Sequence, residues 1–224
     1  MIGSPGPPGR CLVKVCGLTN AADARMVASA GAFWVGLNFH GPSPRSIPLD
    51  AAGAIINALP PTCEPVGLFV NRPPDEVRRA CRQVGLKIVQ LHGDEPPTDL
   101  VELDEFRVIR AFRLGCKEDV ARMVDHLAEA ERLKRPPYAV LIDAYVPGQA
   151  GGTGRMVEES ILESLPPIDR LILAGGLNPE NVAERILRVA PWMVDVASGT
   201  ESRPGRKDSA RVTAFVRAVA NAAV

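Results

Sequence analysis

YAVLIDAYVPGQAGGTG, residues 138–154, begins as a short apolar run and ends as a glycine-rich loop. Tyr138 to Ile142 reads as a strand buried on both faces, the pattern expected of a parallel sheet. The run stops at a carboxylate, Asp143, and the loop that follows holds Gly148, Gly151, Gly152 and Gly154. Glycine reaches positive φ without steric cost and lets backbone N–H groups come close to an anion. An acid at the C-terminal end of a strand, followed by such a loop, points to a site for a phosphorylated small molecule. A surface acid beside a flexible connection is the plain alternative, and the rest of the chain has to choose.

Working outward in both directions, the same unit repeats. Short apolar runs fall at Leu12–Cys16, Phe33–Phe39, Val66–Val70, Lys87–Leu91, Arg107–Phe112, Tyr138–Ile142, Arg170–Ala174 and Trp192–Ala197. Segments of helical spacing lie between them: Ala21–Ala30, Leu49–Leu59, Pro74–Val84, Cys116–Leu133, Asn178–Val189 and Asp208–Ala222, with weaker ones around Thr98–Leu103 and Met156–Leu165. Asn20 stands where a helix N-cap belongs, and Asn178-Pro179 puts proline at a first helical position. Eight strand–helix units in an α/β chain of this length predict a single (β/α)8 TIM barrel. An open doubly wound sheet competes. It usually has fewer strands and often a GxGxxG turn after the first, whereas here that turn is Cys16-Gly17-Leu18-Thr19. No linker interrupts the series, so residues 11–224 read as one barrel domain after a tail of residues 1–10.

Composition narrows the partners. Lysine plus arginine equal aspartate plus glutamate at 26 each, so no overall field favours nucleic acid or an anionic membrane. Ala32 to Phe39, the longest apolar stretch, is far too short to span a bilayer. The opening MIGSPGPPGR lacks the apolar centre of a secretory signal and reads as disordered. Cysteines 11, 16, 63, 81 and 116 are odd in number and contain no CxxC pair, which argues against a disulfide framework and against a zinc site. No metal is expected, and the expected location is cytoplasmic.

Chemistry in such a barrel sits at the C-terminal strand ends. Those ends carry Cys16-Gly17, then Asn38-Phe39-His40 with Arg45 nearby, Asn71, His92 to Glu95, Arg110 or Arg113, Asp143, Gly175-Gly176 and Ser198-Gly199. Alternate strand residues share a face, which turns Lys14, Cys16 and Asp143 into the barrel with the aliphatic faces toward the helices. The same parity turns Asp195 inward, where it can pair with Lys14 on the adjoining first strand. The loops at Gly175-Gly176 and Ser198-Gly199 follow the seventh and eighth strands, the usual barrel position for phosphate. Cys16 can be a base, a nucleophile or a small core residue, and a thiol of pKa about 8.5 needs cationic help to act near neutrality. Asp143 stands on the opposing side of a ligand bound at the mouth and suits a general acid. The guanidinium fork of Arg45 suits a planar carboxylate. His92 either lines the pocket or caps its strand.

With these residues in view, the sequence resembles the phosphoribosylanthranilate isomerases of tryptophan biosynthesis. The likeness runs from Val13 to Val216 and rests on seven motifs in family order: VKVCGLT (13–19), SPRSI (43–47), VGLFVN (66–71), VQLHGDE (89–95), IDAYVPGQAGGTG (142–154), LAGGLNPENV (173–182) and VDVASGTESRPGRKD (194–208). The resemblance implies a cofactor-free barrel, monomeric or homodimeric. It implies an Amadori rearrangement of N-(5-phosphoribosyl)anthranilate to 1-(2-carboxyphenylamino)-1-deoxyribulose 5-phosphate. Cys16 would be the general base and Asp143 the general acid. Arg45 would hold the anthranilate carboxylate, and Gly175, Gly176, Ser198 and Gly199 the phosphate, with help from Gly152. Two departures stand out. Asn38-Phe39-His40-Gly41 replaces an apolar, aromatic, Pro-Lys ending, and Met156-Val157-Glu158 replaces a Phe-Asp-Trp segment. A histidine-pathway sugar isomerase or a barrel serving both pathways, which would use aspartates on the first and fifth strands, and a barrel that only binds a sugar phosphate are the competing readings.

Overall fold

The β-branched and leucine-rich runs form eight parallel strands that close on themselves. A computed structural model describes residues 11–144 and 157–222, so the expectations for residues 1–10 and 145–156, Gly152 among them, lie outside the described residues. The strands are β1 (Leu12–Cys16), β2 (Trp34–Asn38), β3 (Glu64–Phe69), β4 (Ile88–Leu91), β5 (Arg107–Leu114), β6 (Ala139–Ala144), β7 (Leu171–Leu173) and β8 (Met193–Val196). Each pairs with the next, and β1 pairs with β8 to close the barrel. The helices that cover it are α1 (Ala21–Ser29), α2 (Leu49–Ile56), α3 (Pro74–Val84), α4 (Thr98–Glu102), α5 (Lys117–Arg132), α6 (Glu159–Leu162), α7 (Val182–Val189) and α8 (Ser209–Asn221). The predicted TIM barrel is the observed fold.

Parity sorts the strand residues as the pleat requires. Trp34, Val66, Ile88, Ile109, Leu141, Ile172 and Met193 fill the barrel interior, while Val13, Val15, Val35, Leu37, Val89, Val140, Ile142 and Val194 pack outward under the helices. Trp192 stacks edge-on against Trp34 at 5.3 Å beneath this layer, plugging the N-terminal end. The interior is therefore apolar and solid at one end, and polar residues are gathered at the other.

Several elements differ from the expected ones. Regular α7 begins at Val182 rather than at Asn178. The Asn178 side chain accepts the N–H groups of Glu180 and Asn181 at 3.0 Å each, and Asn181 Oδ1 accepts the N–H of Asn178, so the intervening residues close a self-bonded turn. Helix α4 has only five residues and α6 only four. After β8 the chain makes a 3₁₀ turn at Ser198–Thr200 and then a two-stranded antiparallel hairpin, β9 (Glu201–Arg203) and β10 (Arg206–Lys207), which the periodicity did not suggest. Its turn is set by Gly205 at φ 77°, whose carbonyl accepts from the Thr19 hydroxyl. The hairpin is thereby tied to the loop after β1.

Candidate active site

A pocket opens at the C-terminal end of the barrel. Cys16, Arg45, His92, Asp143, Gly175, Gly176 and Ser198 all line it, together with Asn38, Gln90 and Asp195. The strand-end reading thus brought one set of residues to one place. A larger groove lies outside the barrel between the loop after β4 and α5. Its charges are largely satisfied by one another, Arg113 by Asp94 and Arg122 by Asp119.

Cys16 is buried and is accommodated by a glycine on the neighbouring strand. A Cβ on Gly36 would stand 2.5 Å from the Cys16 sulfur. Burial pushes the thiol's pKa up from its ordinary value, while the ammonium groups of Lys14 and Lys207 pull it back in part. The chain leaves β1 through Gly17 at φ 79°, and the space over Gly17 is taken by the Arg45 stem, 2.6 Å from where a Cβ would be. Lys14 sits fully buried beneath Cys16 with its ammonium 2.9 Å from Asp195, its register partner on β8. This is the pair that parity predicts. Burial alone would lower the Lys14 pKa, but Asp195 and Cys16 outweigh it and the net shift is upward.

Across the mouth, Asp143 is the penultimate residue of β6, with Oδ1 accepting the Ala144 N–H at 2.8 Å. Gly175, at φ 88°, packs on this carboxyl; a Cβ there would meet Ala144 N at 2.9 Å and Asp143 Oδ1 at 3.0 Å. His92 lines the pocket. Its Nδ1 lies 2.8 Å from Gln90 Nε2, and with the amide so oriented the ring proton belongs on Nε2. That nitrogen is 3.7 Å from Asp143 Oδ2, beyond hydrogen-bond reach. His92 Nε2, Gln90 Oε1 and Asp195 Oδ1 are all buried and unpartnered among the described residues. Buried polar atoms left without partners mark a place where a ligand supplies them.

The loop holding His92 is itself fixed by a buried carboxylate. Glu95 accepts the N–H of Asn71 at 2.8 Å and that of Gly93 at 2.9 Å, joining the loops after β3 and β4. Arg110 stands 3.4 Å from the Glu95 carboxylate and donates to the carbonyls of Leu91, Gly93, Glu95 and Ala111. It faces away from the mouth, because Ile109 and Ala111 take the inward positions. The loops after β7 and β8 meet closely. A Cβ on Gly199 would stand 2.0 Å from the Leu177 carbonyl, so only glycine permits the approach.

Sequence reasoning missed Gln90, Glu201 and Lys207. Parity from His92 would have turned Gln90 inward. Glu201 and Lys207 come from the unforeseen hairpin, and both are buried. Glu201 receives Arg45 Nε and Nη2 at 2.8 Å each and Lys207 Nζ at 3.1 Å. One edge of the Arg45 fork is therefore occupied by the protein itself.

The fold and the site together are those of a (β/α)8-barrel enzyme that works at the C-terminal mouth of its barrel. Residues 13–218 match the family model for N-(5'-phosphoribosyl)anthranilate (PRA) isomerase. The isomerase of Geobacter sulfurreducens is 44% identical over 207 residues, 92% of this chain and 96% of that one. The crystal structure of the Thermotoga maritima isomerase superposes with a TM-score of 0.81 at 33% identity, covering 93% of this chain and 98% of the other. A further crystal structure of an isomerase of this name, in complex with reduced 1-(o-carboxyphenylamino)-1-deoxyribulose 5-phosphate, gives 0.77 at 32% identity with the same coverage. The chain belongs to the phosphoribosylanthranilate isomerase family of tryptophan biosynthesis and is an enzyme of that kind. Among the described residues no helix is long and apolar enough to cross a membrane.

Proposed function

We propose that the enzyme rearranges N-(5-phosphoribosyl)anthranilate with Cys16 as general base and Asp143 as general acid. The observation that carries this reading is that thiol and carboxyl line one cavity, from opposite sides of the barrel, beside buried polar atoms that lack partners. Asp143 gives a proton to the ribose ring oxygen, the ring opens, and a Schiff base forms between C1 and the aryl nitrogen. Cys16, as thiolate, removes the C2 proton to give an enolamine. Loss of the enol proton and protonation at C1 then give the ketose, so the atoms of substrate and product balance. Lys14 and Lys207 favour the thiolate against the cost of burial.

The ligand in the related complex carries a carboxyphenyl group, a reduced deoxyribulose chain and a phosphate. In this chain the free edge of Arg45 suits the carboxylate. The close-packed loops at Gly175-Gly176 and Ser198-Gly199 suit the phosphate, with Gly152 added from outside the described residues. His92 Nε2 suits a substrate oxygen near Asp143. Turnover of N-(5-phosphoribosyl)anthranilate by the purified protein, beside Cys16→Ala and Asp143→Ala, tests the assignment. Activity in the parent and a loss of about a hundredfold or more in each variant is expected for general acid–base work. Active variants would discard the assignment of Cys16 and Asp143, and a folded but inactive parent would favour a protein that only binds a sugar phosphate.

A further inference from the structure

Arg45 and Glu201 stand 156 residues apart in the chain and meet at the rim of the site. The contact is two-pronged, with Nε and Nη2 each 2.8 Å from a different carboxylate oxygen. Lys207 adds its ammonium to the same carboxylate at 3.1 Å and to the Ala197 carbonyl at 2.9 Å. The side chains of Glu201 and Lys207 are 3% and 0% exposed, and that of Arg45 is 12% exposed. The Gly205 N–H reaches Glu201 Oε1, and Arg211 holds the Glu201 carbonyl at 2.9 Å. The carboxylate therefore has little freedom to move.

Two features of this cluster point to a ligand. First, one carboxylate serves two cations, so among these three groups one positive charge is uncompensated in a nearly water-free place. Such an arrangement is costly unless an anion completes it. Second, a guanidinium has two usable edges, and Glu201 takes only the Nε–Nη2 edge. Among the described residues Nη1 makes no hydrogen bond, and Arg45 lines the cavity. The Arg45 stem crosses Gly17, which fixes its lower half as Glu201 fixes its upper half.

We propose that Glu201, on the hairpin after β8, is a positioning residue that aims the free edge of Arg45 at the aryl carboxylate of the substrate, and that with Lys207 it sets the preference for a carboxylated aryl amine. The proposal rests on the reading of Arg45 as the carboxylate holder. A clamp that merely staples the hairpin to the barrel would treat all substrates alike. A clamp that aims Arg45 matters only when the carboxylate is present.

The test compares N-(5-phosphoribosyl)anthranilate with N-(5-phosphoribosyl)aniline, which lacks the carboxylate, in the parent, Glu201→Gln and Arg45→Met. Glu201→Gln keeps one acceptor for the guanidinium and puts an amide donor where the second stood. It is expected to raise KM for the anthranilate substrate about tenfold, leave kcat within about threefold, and leave the aniline kinetics unchanged. Lys207 and Arg45 lose their counter-charge in that variant, so Glu201→Asp, which keeps the charge but withdraws the carboxylate from Arg45, is expected to fold and to show the same split. Equal losses on both substrates, or no loss on either, would overturn the proposal. If Arg45→Met leaves the preference for anthranilate intact, the carboxylate role of Arg45 itself has failed. If Arg45→Met abolishes the preference while Glu201→Gln keeps it, only the positioning role has failed.

Discussion

Gly36→Ala is the sharpest perturbation that the geometry offers. The added methyl would stand 2.5 Å from the Cys16 sulfur, 3.0 Å from Cys16 Cα and 3.1 Å from Cys16 Cβ. Favourable heavy-atom contacts lie at roughly 3.5–4.0 Å, so the overlap with sulfur is about 1 Å or more. The backbone cannot easily yield. Cys16 and Gly36 are register partners on adjacent strands, and the Gly36 carbonyl also accepts the N–H groups of Gly17 and Leu18 at 3.0 Å each. Either the Cys16 side chain leaves its rotamer or β1 and β2 shift apart. Overpacking of this kind costs about 1–3 kcal/mol. In a chain of this size each kcal/mol lowers Tm by roughly 2–4 °C. The kinetic effect is larger, because a reacting atom displaced by about 1 Å loses on the order of a hundredfold in rate. The assay is kcat and KM beside thermal unfolding, with Cys16→Ala and the double variant completing a cycle. The destabilisation by Gly36→Ala is expected to shrink once the sulfur is gone, and kcat in the double variant to be no worse than in Cys16→Ala. Parental kcat and Tm in Gly36→Ala would refute the reasoning.

Three further outcomes follow from the packing and charge pairing of the barrel. Gly53 lies in α2 with nothing within 4 Å of where a Cβ would stand, so Gly53→Ala is expected to stabilise the fold by about 0.4–1 kcal/mol in urea unfolding without changing kcat. Asp195→Asn strands the fully buried Lys14 ammonium and is expected to cost about 3–5 kcal/mol, most of it recovered in Lys14→Met/Asp195→Leu. Because the Lys14 pKa is raised on folding, the pair's contribution holds up to roughly pH 10.4, the unfolded value, and fades only as pH climbs further. His126 is held down to about 4, first by burial and then by Arg110. The unfolded chain therefore binds more protons between about pH 6.5 and 4, and stability falls as pH falls through that window. His126→Phe is expected to flatten the slope there in a series of urea titrations, and an unchanged slope would sink the assignment.

The fold was legible because parallel strands buried on both faces leave apolar runs of four to eight residues, and the barrel repeats that signal around the chain. The inward direction of Lys14, Cys16, Asp143 and Asp195 followed from the pleat alone, and the Lys14–Asp195 pair falls in register across the closing seam. Arg110 shows the limit of reading strand ends without parity: it stands near the end of β5 but faces outward, onto the Glu95 carboxylate and four carbonyls. The β9–β10 hairpin was illegible for another reason. Strands of three and two residues carry no periodicity, and nothing local in SGTESRPGRK announces that Glu201 will meet an arginine from the other side of the sequence. The partnership of Arg45 with Glu201 belongs to tertiary structure, where the loops after β2 and β8 are brought side by side by barrel closure. The start of α7 was displaced because Asn178 and Asn181 satisfy one another's backbone, a local competition that helix periodicity does not register.

The proposed mechanism depends most on Cys16 being the group that takes the C2 proton. The direct measurement is loss of deuterium from N-(5-phosphoribosyl)anthranilate labelled at C2 of the ribose, followed under single-turnover conditions in the parent and in Cys16→Ala. Deuterium release with a primary isotope effect in the parent, and release slowed by about a hundredfold or more in Cys16→Ala, is the predicted result. Release from Cys16→Ala at the parental rate would contradict the account and assign the proton transfer to another group at the barrel mouth.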